Sequence, residues 1–182
     1  STLEEVLERN KESIERLRKE SEDSHRKLKE IMERLKRETE RSLEEVEEIV
    51  KRLKELTDEG RDKREVRKRL EEVHRKNEKT VRESSEKVER VLKENKESVE
   101  RIVEKAEESL RRLAEVLRDK VDDKEKVKRV IEKAKKSVED LERRLREDEE
   151  AAREWVKKLR TENEKVRKRS EELVRELEER LR

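Results

Sequence analysis

The sequence predicts an all-α fold: an up-down-up antiparallel three-helix bundle with helices of about 55–60 residues each. Three observations predict it. Charged residues make up 60% of the 182 and aromatics 1%, with no Phe, Tyr, Pro or Cys. Strands want β-branched and aromatic side chains, and turns want Gly and Pro. Apolar or small polar residues recur every three or four positions along nearly the whole chain, the period of one helix face. Only two short stretches interrupt that period, and one holds the sole glycine.

The first helix spans about 2–57. Its seam runs from Leu3 and Leu7 through Ile14, Leu17, Leu28, Leu35, Val46 and Ile49 to Leu56. The chain opens Ser1-Thr2-Leu3-Glu4-Glu5, a capping-box pattern. Gly60 then supplies the left-handed residue that follows a helix end. The second helix, about 62–118, starts at Asp62 with Glu65 three on. Its seam runs from Val66 through Val81, Val91 and Ile102 to Leu113 and Val116. The third, about 122–181, starts at Asp122 with Glu125 three on. Its seam passes through Val127, Val138, Leu145, Trp155, Leu159 and Leu173 to Leu181. Each helix is roughly 85 Å long at 1.5 Å per residue. Short connections force antiparallel neighbours. Apolar residues are about as frequent as a two-in-seven seam requires, which favours one self-contained elongated bundle, 1–182, over half of a larger one. A mean seam spacing of about 3.5–3.6 residues predicts nearly straight helices with a weak left-handed supercoil.

Charge excludes several function classes. Lys plus Arg is 56 and Asp plus Glu 54, a net of +2. Nucleic-acid binders carry a clustered basic excess and aromatic stacking platforms. Here the signs interleave every few residues, as in Lys36-Arg37-Glu38, so the charges read as a solvated helix surface laced with i,i+4 pairs. No nucleic acid is expected as a partner. No apolar run is long enough for a transmembrane helix or a signal peptide, so no membrane partner is expected either. The absence of cysteine excludes a disulfide framework and thiolate metal sites.

The anomaly is polar residues inside the seams. About a quarter of seam positions are Asn, Ser, Thr or Asp, and a buried polar group without a partner costs about 1–3 kcal/mol. Such residues are tolerable if they meet one another. Folding about the first break places residue i of the first helix near 119 − i of the second; folding about both places it near 122 + i of the third. On that register Asn10 faces Ser109. Ser21, Ser24 and His25 face Asn95 and Ser98, and Asp148 on the third helix. Thr39 and Ser42 face Asn77 and Thr80, and Asn163. His74 lies near the level of Ser170, and Trp155 near Met32 and the small Ser84-Ser85 pair, one of which could accept the indole N–H. The motif Asn-x-x-Ser/Thr recurs at Asn10, Asn77 and Asn95, with both polar groups on one helix face.

Sharper chemistry is not supported. His25, Asp148 and Ser24 supply a base, an orienting carboxylate and a hydroxyl, but nothing in the sequence offers an oxyanion hole or a nucleophile turn, and a three-helix core is too narrow for a substrate. A metal site needs three or four converging ligands, and the two histidines fall at different levels. Neither catalysis, cofactor nor metal is expected. A histidine pH response at His25 or His74 is the nearest functional reading.

The chain resembles de novo designed helical bundles built parametrically, with hydrogen-bond networks in discrete core layers. The Glu/Lys/Arg-saturated surface, the Asp-x-x-Glu helix starts, the bare loops around Gly60 and Val121 and the polar seam sets carry the resemblance. It implies a monomeric structural scaffold with no natural activity, a test of design or a building block, soluble and made by recombinant cytoplasmic expression. Its polar networks would specify register. Two alternatives remain. One is a helical interaction module or assembly subunit, completed in trans by a second copy or a designed helical partner. Val6, Leu43, Val50, Leu92, Leu110, Val130 and Val174 lie beside the seams as its candidate partner face. The other is a natural spectrin-like rod, whose shorter helices and aromatic core residues are not matched here.

Overall fold

The structure, a computed structural model, describes residues 2–182. It consists of α1 (Leu3–Asp58), α2 (Lys63–Lys120) and α3 (Lys124–Arg180), packed as a three-helix bundle, with no strand among the described residues. None of these helices is long and apolar enough to cross a membrane.

The helix ends form where their chemistry dictates. Thr2 Oγ1 accepts the Glu5 N–H at 3.2 Å, and Asp62 Oδ1 accepts the Arg64 N–H at 2.9 Å, so both side chains satisfy donors that a helix start leaves open. At the third start the cap is Asp123, not the expected Asp122: its Oδ1 accepts the Lys126 N–H at 3.2 Å. Either aspartate has an acidic or polar run behind it, and the one adjacent to the first helical residue wins. α1 ends in a Schellman motif. Arg61 N–H donates to Leu56 C=O and Gly60 N–H to Thr57 C=O, both at 3.1 Å, with Gly60 at φ +77°.

Residue contacts divide the chain into two compact units, and each helix contributes to both. The first comprises Ser1–Leu28 and Leu92–Arg153. Its core includes the clusters Leu17, Ile102, Ala106, Val138, Leu141 and Leu145, and Leu113, Leu117 and Val127. Many flanking residues there, including Leu3, Leu7, Ile14, Val103 and Ile131, are only partly buried. Its registers are those of an antiparallel α1/α2 pair and a parallel α1/α3 pair. Asn10–Ser109 and Glu20–Arg101 have residue numbers summing to 119 and 121. Glu22–Arg144 and His25–Asp148 differ by 122 and 123.

The second unit comprises Lys29–Val91 and Glu154–Arg182. One cluster holds Val46, Val50, Leu53, Val66, Leu70, Val73, Leu173, Val174, Leu177 and Leu181, with only Ile49 and Leu56 partly buried against it. Ser42–Asn77 and Glu45–Lys76 again sum to 119 and 121, and Lys54–Glu176 differs by 122. The α2/α3 pairs Ser84–Asn163 and Glu89–Arg160 sum to 247 and 249. The two α1-based rules combine to 241, so this register lies six to eight residues away.

The buried stripe is wider than the expected two-in-seven seam. Val50, Leu117, Val156 and Val174 are 1%, 1%, 2% and 6% exposed, while the neighbouring seam residues Ile49, Val116 and Trp155 are half-buried. A helix in a three-helix bundle touches two partners and so needs an extra e or g position beside a and d. Val50 and Val174, assigned above to a partner face, are therefore core residues. The other five of that set, Val6, Leu43, Leu92, Leu110 and Val130, are half-buried. No large hydrophobic is exposed among the described residues.

Candidate functional site

The polar seam residues are the candidate site. They fall on core-facing columns because Asn, Ser and Thr substitute for apolar residues at the helical period, and the caps and registers above fix which of them meet.

Three Asn–Ser pairs cross between helices. Asn10 Nδ2 donates to Ser109 Oγ at 3.0 Å and to the Ser109 carbonyl at 3.3 Å. Asn77 Nδ2 donates to Ser42 Oγ at 2.9 Å, and Asn163 Nδ2 to Ser84 Oγ at 3.1 Å. In each the amide is the donor and the hydroxyl the acceptor, the complementarity the two side chains allow. Asn163 and Ser84 are both 3% exposed, so their bond forms out of water; Asn77 is 2% exposed but its partner Ser42 is half-buried, as are Asn10 and Ser109. A net gain of about 0.5–1.5 kcal/mol per bond is expected.

The remaining residues divide differently from the sequence expectation. Ser21, Ser24, His25, Asn95, Ser98 and Asp148 line one cavity of about 10 Å³ in the first unit. His25 Nε2 lies 3.7 Å from Asp148 Oδ1. Burial lifts the Asp148 carboxyl above its ordinary range, more than His25 pulls it down. A space of that size is about that of one water and takes no substrate. Thr39 and Thr80 do not join Asn77: their hydroxyls donate to the carbonyls of Lys36 and Lys76 in their own helices, both at 3.0 Å. The threonine hydroxyl reaches a carbonyl one turn back more readily than a neighbouring helix.

Asn163 pairs with Ser84 rather than with Thr39 or Ser42, a consequence of the α2/α3 offset. His74 is within 3.0 Å of Glu78 in its own helix, through Nε2, and not bonded to Ser170. His74 Nδ1, Asn163 Oδ1 and Ser170 Oγ are buried without a hydrogen-bond partner. Each of the three Asn–Ser contacts thus joins two helices rather than three. No group of three or more His, Cys, Asp or Glu among the described residues is placed to hold a metal ion.

Fold and site together define an all-helical bundle of three long helices whose core carries interhelical Asn–Ser pairs. No protein-family model matches the chain, and no curated protein matches it. Among solved structures it is similar to a chain described as "Computationally designed three helix bundle", at 23% identity over 98% of this chain and 88% of that one, with a TM-score of 0.49.

Proposed function

We propose that the chain is a designed structural scaffold without natural biochemical activity, in which the core Asn–Ser pairs set the helix register. The observation that carries this reading is the agreement between those pairs and the surface ion pairs. Asn10–Ser109 and Glu20–Arg101, and separately Ser42–Asn77 and Glu45–Lys76, specify one α1/α2 register within each unit. Exposed ion pairs are individually worth about 0–1 kcal/mol, so the less exposed Asn–Ser pairs, above all that of the buried Asn77, are the stronger specifiers. A slip of one turn would separate each amide from its serine, at about 1–3 kcal/mol where the amide is buried, as at Asn77.

The test is a pair of measurements. Light scattering over a concentration series returns a mass near 22.3 kDa for a monomeric scaffold; twice that mass at every concentration moves the reading to an assembly subunit. The register is read by disulfide trapping, unambiguous in a chain without native cysteine. A Glu45→Cys, Lys76→Cys variant should close its disulfide readily. After Asn77→Leu and Ser42→Ala are added, a mixture of registers should lower the yield. An unchanged yield would mean that the apolar packing alone sets register.

A further inference from the structure

We propose that the groove between α1 and α3 beside Trp155 binds a small amphipathic anion, an apolar body carrying one carboxylate, sulfate or sulfonate. The groove has a volume of about 470 Å³, within the roughly 300–1,000 Å³ of small-molecule sites. Its floor is Met32, Trp155 and Leu159, the only Met and the only Trp of the chain. Met32 and Leu159 are 5% and 3% exposed, while Trp155 is half-buried and so turns part of its indole to the groove. The half-buried indole thus supplies most of the apolar surface the floor exposes, backed by the packed Met32 and Leu159.

The rim supplies the charge. Lys29, Lys36, Lys157, Lys158 and Lys165 line it against two acids, Glu33 and Glu162. Lys36 is 3.8 Å from Glu40 and Lys157 3.9 Å from Glu154, whereas Lys29, Lys158 and Lys165 form no ion pair among the described residues. Three ammonium groups therefore stand over an apolar floor with their charge available. The spacing that builds the site is helical. Lys29, Met32, Glu33 and Lys36 occupy i, i+3, i+4 and i+7 of α1, and Trp155, Lys158, Leu159 and Glu162 repeat it on α3. The larger α1/α3 groove of the first unit, about 950 Å³ around Leu7 and Ile14, also carries lysines, Lys11 and Lys133, but lacks the Met and Trp floor. It has no aromatic residue, and its Arg18, Arg143 and Arg144 are committed to Glu15, Glu22 and Asp140.

The probe is 8-anilinonaphthalene-1-sulfonate, titrated into the full chain. One dye should bind per chain, quenching Trp155 emission in step with the rise in dye emission, because the sole indole lies in the site. Sodium decanoate should displace it and decanol should not. Added salt should weaken it, since the rim is screened over about 10 Å at 0.1 M. Lys158→Glu with Lys165→Glu should raise Kd at least tenfold with unchanged helicity; Lys158→Gln with Lys165→Gln should raise it less. Lys105→Glu with Lys120→Glu, in the first unit, should leave it unchanged. Dye binding without Trp155 quenching, wild-type affinity in the Lys158/Lys165 variants, or no saturable binding would each overturn the proposal.

Discussion

The Ser84–Asn163 pair makes a sharp stability test because one of its atoms is already unsatisfied. Ser84→Ala deletes the acceptor of the 3.1 Å bond. Asn163 then has both amide ends buried without partners, since its Oδ1 has none to begin with. The side chain is 3% exposed, so water cannot replace the hydroxyl. The loss is about 1–3 kcal/mol. For a chain of this size each kcal/mol shifts Tm by about 2–4 °C, so a loss of about 2 kcal/mol lowers Tm by roughly 4–8 °C. Adding Asn163→Leu reverses the sign. It removes both orphaned ends and buries an apolar side chain of similar size, a gain of about 1.5–3 kcal/mol from transfer alone. The double variant should therefore melt above the parent. Far-ultraviolet circular dichroism during thermal and urea unfolding reads both. A neutral Ser84→Ala, or a double variant no more stable than the single one, would refute the claim that this hydrogen bond is made in a dry environment.

Three further outcomes follow from the geometry. Leu177→Ala, at a side chain with 0% exposure in the second unit's core, should cost about 2–5 kcal/mol by urea unfolding, and the half-buried Val130→Ala well under half of that. Gly60→Ala should cost about 1 kcal/mol from its φ of +77° alone, because a Cβ there meets nothing within 4 Å. Asp148→Asn should raise Tm at neutral pH. The Asp148 carboxyl is raised by burial first, with Glu147 and Glu22 adding to it and His25 and Arg144 opposing. Its protonated form is thus favoured by folding, so the stabilisation is full below the unfolded value of about 3.9 and is lost as pH rises through the higher folded value. The Asn variant should flatten that part of the Tm–pH profile; an unchanged slope would show that the carboxylate is well solvated.

The helices and the Asp62 cap were legible in the sequence because they rest on local chemistry: a 3.6-residue period, small polar residues before acidic first turns, and a lone glycine; which of Ser1 and Thr2 opens α1 was not. The α1/α2 register was legible to within about a turn as well, since one short loop brackets it and the polar residues then find partners. What escaped depends on the third dimension. Val50, Leu117, Val156 and Val174 are buried because each helix has two neighbours, a fact that the strongest single seam conceals. Thr39 and Thr80 look like network members by position, yet their own helix offers a nearer acceptor. Asn163 finds Ser84 through the α2/α3 register, which the α1 registers do not determine. The Trp155 groove carried a weak sign in the sequence, the lysines spaced around Met32 and Trp155, but interleaved charge everywhere else hid it.

Trp155 is the chain's only indole, there is no tyrosine or phenylalanine, and the residue belongs to the second unit. The first unit is consequently dark to near-ultraviolet absorbance, fluorescence and aromatic dichroism. An emission-detected melt follows the second unit alone, whereas dichroism of the peptide bonds follows both. Any gap between those two curves is a direct reading of how far the unit built from Leu92–Arg153 and the first turns of α1 loosens on its own. It comes without a label or a substitution.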